Sequence, residues 1–226
     1  CASSSAGPAF EGSGIKHGMR AGPGAIEKAS VKADGSVILK TVSGIEPAGI
    51  CGTGLLDILA SLYKSGFIDR TGKFSTDHER ITEGEDGKQF RLTEPEPGRA
   101  PIVITQADID NLVRSKAGVF AAINILLSTM QLSPSDLDAV YIAGGFGNWL
   151  NAEEVITVGM LPDIDWRKIH FVGNTSVTGA RMAALSYRAW RKIQDIASNM
   201  TYFDLMTHPG YMDEFVKACF IPHTDL

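Results

Sequence analysis

Two apolar runs of β-forming residues, AVYIAGG at 139–145 and KIHFVG at 168–173, each stop in glycine. Short continuous runs of this kind read as strands buried on both faces. Helix-forming segments lie around them, and strands alternating with helices build a layered α/β fold with partly parallel strands. In such sheets ligands sit beyond the carboxyl ends of the strands, and glycine there lets main chain approach a flat or anionic group closely. The second run leads into NTSVTGA, where Thr175 or Ser176 caps a helix reaching about Asn199, with an apolar stripe at 182, 185, 189, 193, 196 and 200. The first N–H groups of that helix are a natural anion seat. The same glycines also suit tight strand-to-helix packing with no ligand. GxxxxGK[ST] is absent and GGFGNW does not fit GxGxxG, which disfavours a dinucleotide fold.

The rest of the chain fits the same class. ADG followed by SVILKTV (36–42) reads as a turn and a strand. GICGTG (49–54) is a glycine loop before a helix whose stripe falls at 55, 58, 59 and 62, with Gly66 as its cap. Residues 69–101 are rich in acids, Pro and Gly. They read as an inserted hairpin or loop, with FRL as a short strand. IVI (102–104) is strand-like, and Thr105 with Asp108 predicts a capping box for a helix to about Met130. Pro134 opens a short turn, and 201–226 is an aromatic-rich segment expected to pack across the domain. Residues 1–226 read as one domain, and the start without Met reads as that of a fragment.

The long helix carries one anomaly. Its stripe of Ile109, Val113, Phe120, Ile123, Leu127 and Met130 calls for an apolar residue at 116, where the sequence has lysine. A lysine on a buried face needs water, a partner, or a cleft to reach into. Elsewhere the exclusions are broader. A net charge of -5 offers no basic stripe for nucleic acid. No apolar run approaches the ~18–20 residues of a membrane span, and no signal peptide opens the chain. Cys1, Cys51 and Cys219 are far apart and form no CxxC pair, which argues against disulfides or a cluster built from this chain and for a reducing cytoplasm. His17, His78, His170, His208 and His223 are scattered, so no metal site of protein ligands is expected. No GxSxG occurs, Cys51 reads as a packing residue, and no catalytic residue stands out.

AGGFG after an apolar strand resembles the adenosine motif of the actin-like ATPase superfamily, in which two ribonuclease-H-like lobes clamp ATP. A wider set of segments narrows this: GPAFEGSGIKHGMRAGPGAIE (7–27), GICGTGLLDILASLYKSGFIDRTGKF (49–74), ITQADIDNLVRSKAG (104–118), YIAGGFGNWLN (141–151), FVGNTSVTGA (171–180) and the ending from TYFDLMTHPGYMDEF to FIPHTDL. Together they resemble the C-terminal domain of the reductive activators of corrinoid proteins. That resemblance implies an α/β, ribonuclease-H-like second lobe with a mixed sheet and helices on both faces. It implies ATP with Mg2+, an N-terminal domain with a 2Fe–2S cluster outside this chain, and a corrinoid protein as partner, with ATP driving Co(II) to Co(I). Gly144, Gly145, Gly147 and Asn148 would lie at the adenosine, Lys116 near the base or ribose, and Gly173, Asn174 and Ser176 at the second strand end, with Gly52, Thr53 and Gly54 added. A homodimer is compatible with this reading. A DxGTN phosphate motif and the ferredoxin cysteines are expected upstream of Cys1. Two alternatives stay open: a small-molecule kinase lobe, against which stands the lack of a strand-end Asp to serve as base, and a corrinoid-protein docking module with purely structural glycines.

Overall fold

The computed structural model describes residues 1–4, 6–145 and 150–224, and its architecture is mixed α/β. The first layer is a hairpin of β1 (Ala25–Val31) and β2 (Val37–Thr41), with the two-residue β3 (Gly49–Ile50) parallel to β1 on its other side. The ADG turn joins the hairpin as expected: Gly35 takes φ +80° and Asp34 accepts from the Ser36 N–H at 2.9 Å. Helix α1 (Gly52–Lys64) packs on β1, burying Leu55, Ile58, Leu59 and Leu62, the stripe its spacing predicts.

Because β3 is so short, the far end of β1 has an open edge, and α1 closes it with side chains. Asp57 accepts from the Ala29 N–H at 3.3 Å, and the Ser61 hydroxyl bonds both the N–H and the C=O of Val31. Burial is the main force pushing the half-buried Asp57 carboxyl up to about 6, opposed by the Ala29 hydrogen bond. Between about pH 4 and 6 the folded protein therefore holds a proton that the unfolded chain has released, and stability falls as pH rises through that window. Asp57→Asn keeps an acceptor for Ala29 and removes this penalty. Urea unfolding is expected to show the variant more stable by about 1 kcal/mol above pH 6, with no difference near pH 4. The full linkage value is reduced because solvent still screens the group.

The 69–101 excursion is a hairpin of β4 (Ile81–Gly84) and β5 (Gly87–Arg91), and β5 pairs in turn with β6 (Val103–Thr105). It is well anchored. Phe90 and Leu92 are buried, Gln106 Nε2 donates to Gly72 O at 2.8 Å, and Lys73 pairs with Asp110 at 2.8 Å. The capping box then starts α2 (Gln106–Thr129): Asp108 N donates to Thr105 Oγ1 at 3.1 Å and Thr105 N donates to Asp108 Oδ2 at 2.9 Å. Contrary to the sequence expectation, α2 is long and apolar enough to cross a membrane by length and composition. Here it packs against α1, β5, β6 and α6 (Tyr211–Ala218), with Asp108 and Lys116 buried along it.

The remaining strands, β7 (Val140–Ile142) and β8 (Ile169–Phe171), form a two-stranded parallel ribbon joined through α3 (Ala152–Thr157). They are half-exposed rather than buried on both faces, and Tyr141 is 68% exposed. The single helix expected after β8 is two helices, α4 (Thr175–Leu185) and α5 (Tyr187–Ser198). Ser186 breaks them with extended dihedrals and caps α5 by accepting from Ala189 N at 3.3 Å. The apolar residues of both helices, among them Met182, Leu185, Trp190, Ile193 and Ile196, are exposed.

Candidate functional site

The tips of β7 and β8 lie side by side. The pairing runs Val140–Ile169, Tyr141–His170 and Ile142–Phe171. Beyond it, Val172 N donates to Ile142 O at 3.0 Å and Gly144 N donates to Gly173 O at 2.8 Å. Gly144 takes φ +118°, which L side chains rarely adopt. Among the described residues, a Cβ built on Gly144 or Gly145 would meet nothing within 4 Å, so no described side chain plugs the β7 tip. On the outer face of the ribbon the Tyr141 and His170 rings stack at 5.3 Å. The sequence hides this face, because Val-Tyr-Ile is apolar throughout and carries no alternation. Gly147 and Asn148 lie outside the described residues.

The anion seat at the start of α4 is narrower than the sequence implies. Asn174 caps the helix by accepting from Val177 N at 3.1 Å, Gly173 O takes Thr175 N at 2.9 Å, and Asn174 O takes Thr178 N at 3.2 Å. Among the described residues this leaves the Ser176 N–H as the unpartnered main-chain donor of the first turn, and Asn174 and Ser176 are exposed.

A cavity of about 990 Å³ runs from Ala143 and Gly145 along β7 to Gly52 and Thr53 at the start of α1. Its size is at the upper end for small-molecule pockets. Gly145, Gly52 and Thr53 thus share one cavity, whereas Gly54 is held elsewhere, against the backbone of Ile26. The GICGTG segment is β3, the N-cap Cys51 and the first residues of α1 rather than a free loop. Thr53 Oγ1 donates to Glu27 O at 2.9 Å and Cys51 Sγ contacts Ile26 O at 3.2 Å.

Lys116 is not part of that cavity wall. It is fully buried, and its ammonium donates to the carbonyls of Phe220 and Pro222. Its partners are therefore main-chain oxygens of the C-terminal segment, neither an acid nor solvent nor the cleft that the sequence suggests. Burial pulls its pKa down to about 7.

The strand ends, 143–145 and 172–178, carry no Asp or Glu. These residues suit a nucleoside or an uncharged edge, and they offer no carboxylate to a divalent cation. The cysteines are free, with Cys1 exposed, Cys51 buried and Cys219 half-buried. Among the described residues no three metal-ligating side chains come together, which does not fit an iron–sulfur cluster on this chain.

Comparison with known proteins follows the same line. A family model described as the C-terminal domain of RACo, the ASKHA domain, matches residues 1–226. The corrinoid activation enzyme RamQ of Eubacterium limosum is 30% identical over 226 residues, covering 95% of this chain and 38% of RamQ. The Co(II) methylated amine-specific corrinoid protein reductase of Methanosarcina barkeri is 29% identical, covering 91% of this chain and 38% of that enzyme. Among solved structures, a reductive activator for corrinoid, iron-sulfur protein superposes with TM-score 0.92 at 52% identity, covering 100% of this chain and 37% of the other. The chain thus spans less than two-fifths of the length of these relatives.

Proposed function

We infer the function from one premise: this chain belongs to the family of RACo C-terminal domains, the ASKHA domain. It is the nucleotide-binding C-terminal part of an ATP-dependent reductive activator that serves a corrinoid protein in the cytoplasm. The activator couples ATP to the reduction of Co(II) to Co(I). The observation that carries the reading is the pair of adjacent strand tips, with Gly144 and Gly173 hydrogen-bonded at 2.8 Å and, among the described residues, open space over Gly144 and Gly145. Main chain so exposed can lie flat against a purine nucleoside, with Asn174 and Ser176 at the neighbouring tip.

The remaining three-fifths of the activator supplies the phosphate and Mg2+ ligands and the 2Fe–2S donor. Nucleotide binding between lobes favours one arrangement of the activator on its corrinoid partner. By differing in affinity for the two arrangements, ATP and ADP link hydrolysis to an otherwise unfavourable electron transfer. The activator is compatible with a homodimer.

Gly145 tests this directly. A Cβ at Gly145 meets nothing within 4 Å among the described residues, so Gly145→Trp, with its fold checked by circular dichroism, is expected to occupy the nucleoside seat. Titration calorimetry on the full-length activator is expected to show ADP and ATP affinity reduced at least about tenfold, with ATP-dependent Co(II) reduction reduced in step. Unchanged affinity in the folded variant would refute the site.

A further inference from the structure

Lys116 and Cys219 meet in the seam between α2 and the end of α6. Cys219 is the C-terminal cap of α6, and it packs against Ala117 and Phe120 of α2, the residue after Lys116 and the one a turn beyond it. Lys116 crosses the same seam. Its nitrogen donates to the carbonyl of Phe220, the residue that follows Cys219, and to that of Pro222. The amine and the thiol also act on each other electrostatically, and Arg114 is the other charge that bears on the thiol. Access to the two is unequal. Lys116 is fully buried, whereas Cys219 is half-buried and carries a free thiol, so small solutes enter the seam at the cysteine. With its pKa pulled down to about 7, the amine has a free lone pair near neutral pH, which makes it a base and a nucleophile. Burial pushes the Cys219 thiol up, and a neutral thiol reacts poorly until a base takes its proton. Lys116 is placed to be that base, and the nucleoside seat makes no use of it.

We propose that Cys219 and Lys116 form a modification site at which a peroxide joins the two side chains through a sulfur–nitrogen bond. Lys116 takes the thiol proton. The thiolate attacks one oxygen of hydrogen peroxide, and the S–O bond forms as the O–O bond breaks. The leaving hydroxide takes the proton back from the Lys116 ammonium and departs as water. The amine lone pair then attacks the sulfur. The S–N bond forms, the S–O bond breaks, and the hydroxyl leaves with one amine proton as a second water. Sulfur loses two electrons and the peroxide gains them. The product, a sulfenamide, is opened again by thiols, and it shields the sulfur from irreversible oxidation to sulfinic acid. It also turns a hydrogen-bonded clasp on the C-terminal segment into a covalent one.

The test treats the full-length activator with hydrogen peroxide, blocks the remaining free thiols, and maps the digested protein by mass spectrometry. Two peptides joined at positions 116 and 219 are expected, together two hydrogens lighter than their sum. Dithiothreitol is expected to separate them. In Lys116→Met, which keeps the side-chain volume, the link is expected to vanish and Cys219 to proceed to sulfinic acid. Sulfinic acid or a disulfide at Cys219 of the unsubstituted protein, a link of any other mass, or an unmodified Cys219 would overturn the proposal. The deciding readout comes from the unsubstituted protein and involves no nucleotide, so this proposal and the nucleoside seat stand or fall separately.

Discussion

Alanine in place of Gly54 is expected to destabilise the protein by about 3 kcal/mol, among the largest effects of any single methyl group added to this fold. The added Cβ would lie 2.2 Å from Ile26 O, 3.0 Å from Ile26 C and 3.2 Å from Ile50 Cγ2. Two of those contacts are main chain, and both isoleucines are completely buried, so nothing soft can yield. The Ile26 carbonyl is also fixed by the Cys51 N–H at 3.2 Å, which sets how closely α1 approaches β1. Gly179→Ala on α4 is the matching control. Its Cβ would meet nothing within 4 Å, and removing a helical glycine is expected to stabilise by about 0.5–1 kcal/mol. Urea unfolding of both variants checks the contrast. Equal effects would mean that the α1–β1 seam is looser than drawn. The outcome bears on function as well, because it separates Gly54, a packing glycine, from Gly145, which borders open space.

Those two glycines show what the sequence can and cannot convey. The letters of GICGTG and AGGFG look alike, yet one set lets a helix sit on a strand and the other leaves a strand tip bare. The difference lies in what opposes each glycine in space, which no local pattern encodes. Features fixed by neighbours in sequence were legible: the Thr105–Asp108 capping box, the stripe of α1, the ADG turn and the excursion hairpin. The parallel approach of β7 and β8 was legible too, because strand–helix alternation demands it. β1 was missed because AIEKASV has an irregular burial pattern, with Ala25 and Ile26 both buried and a register shift between Ile26 and Lys28. The break at Ser186 was missed because apolar spacing continues through it. The half-exposure of β7, β8, α4 and α5 was unreadable for another reason. Their apolar residues do predict burial, and among the described residues nothing covers them. Gly147 and Asn148, which the resemblance puts at the adenosine, lie outside the described residues.

Lys116 is the residue for which chemistry and sequence separation diverge most, and it carries the second large expectation. Its partners lie 104 and 106 positions away, beyond any periodicity argument. It holds the C-terminal segment to α2 together with the Arg70 contacts, where Ile221 N donates to Arg70 O at 2.7 Å and Arg70 donates to His223 O at 2.6 Å. Lys116→Ala leaves a cavity where a four-carbon stem was buried and removes the donor from two carbonyls, so a loss of about 3 kcal/mol is expected. Protection of the 219–224 amides from exchange should fall with it. Lys116→Met keeps the volume and isolates the charge. A neutral amine has two N–H groups for the two carbonyls, so deprotonation relieves the burial of charge without orphaning an acceptor. With its pKa lowered to about 7 in the fold, the native protein has released a proton above pH 7 that the unfolded chain keeps until about 10.5. Stability contributed through this group therefore rises with pH above 7. From pH 6.5 to 8.5 the native protein is expected to gain roughly 1–2 kcal/mol relative to Lys116→Met, measured as the difference between paired urea transitions. Stopping at pH 8.5 matters, because burial pushes the neighbouring Cys219 thiol up and gives the opposite slope once free thiols ionise. Parallel stability curves for the two proteins would mean that Lys116 keeps its full charge in the fold, and the account of a neutral amine clasping the C-terminal carbonyls would be wrong.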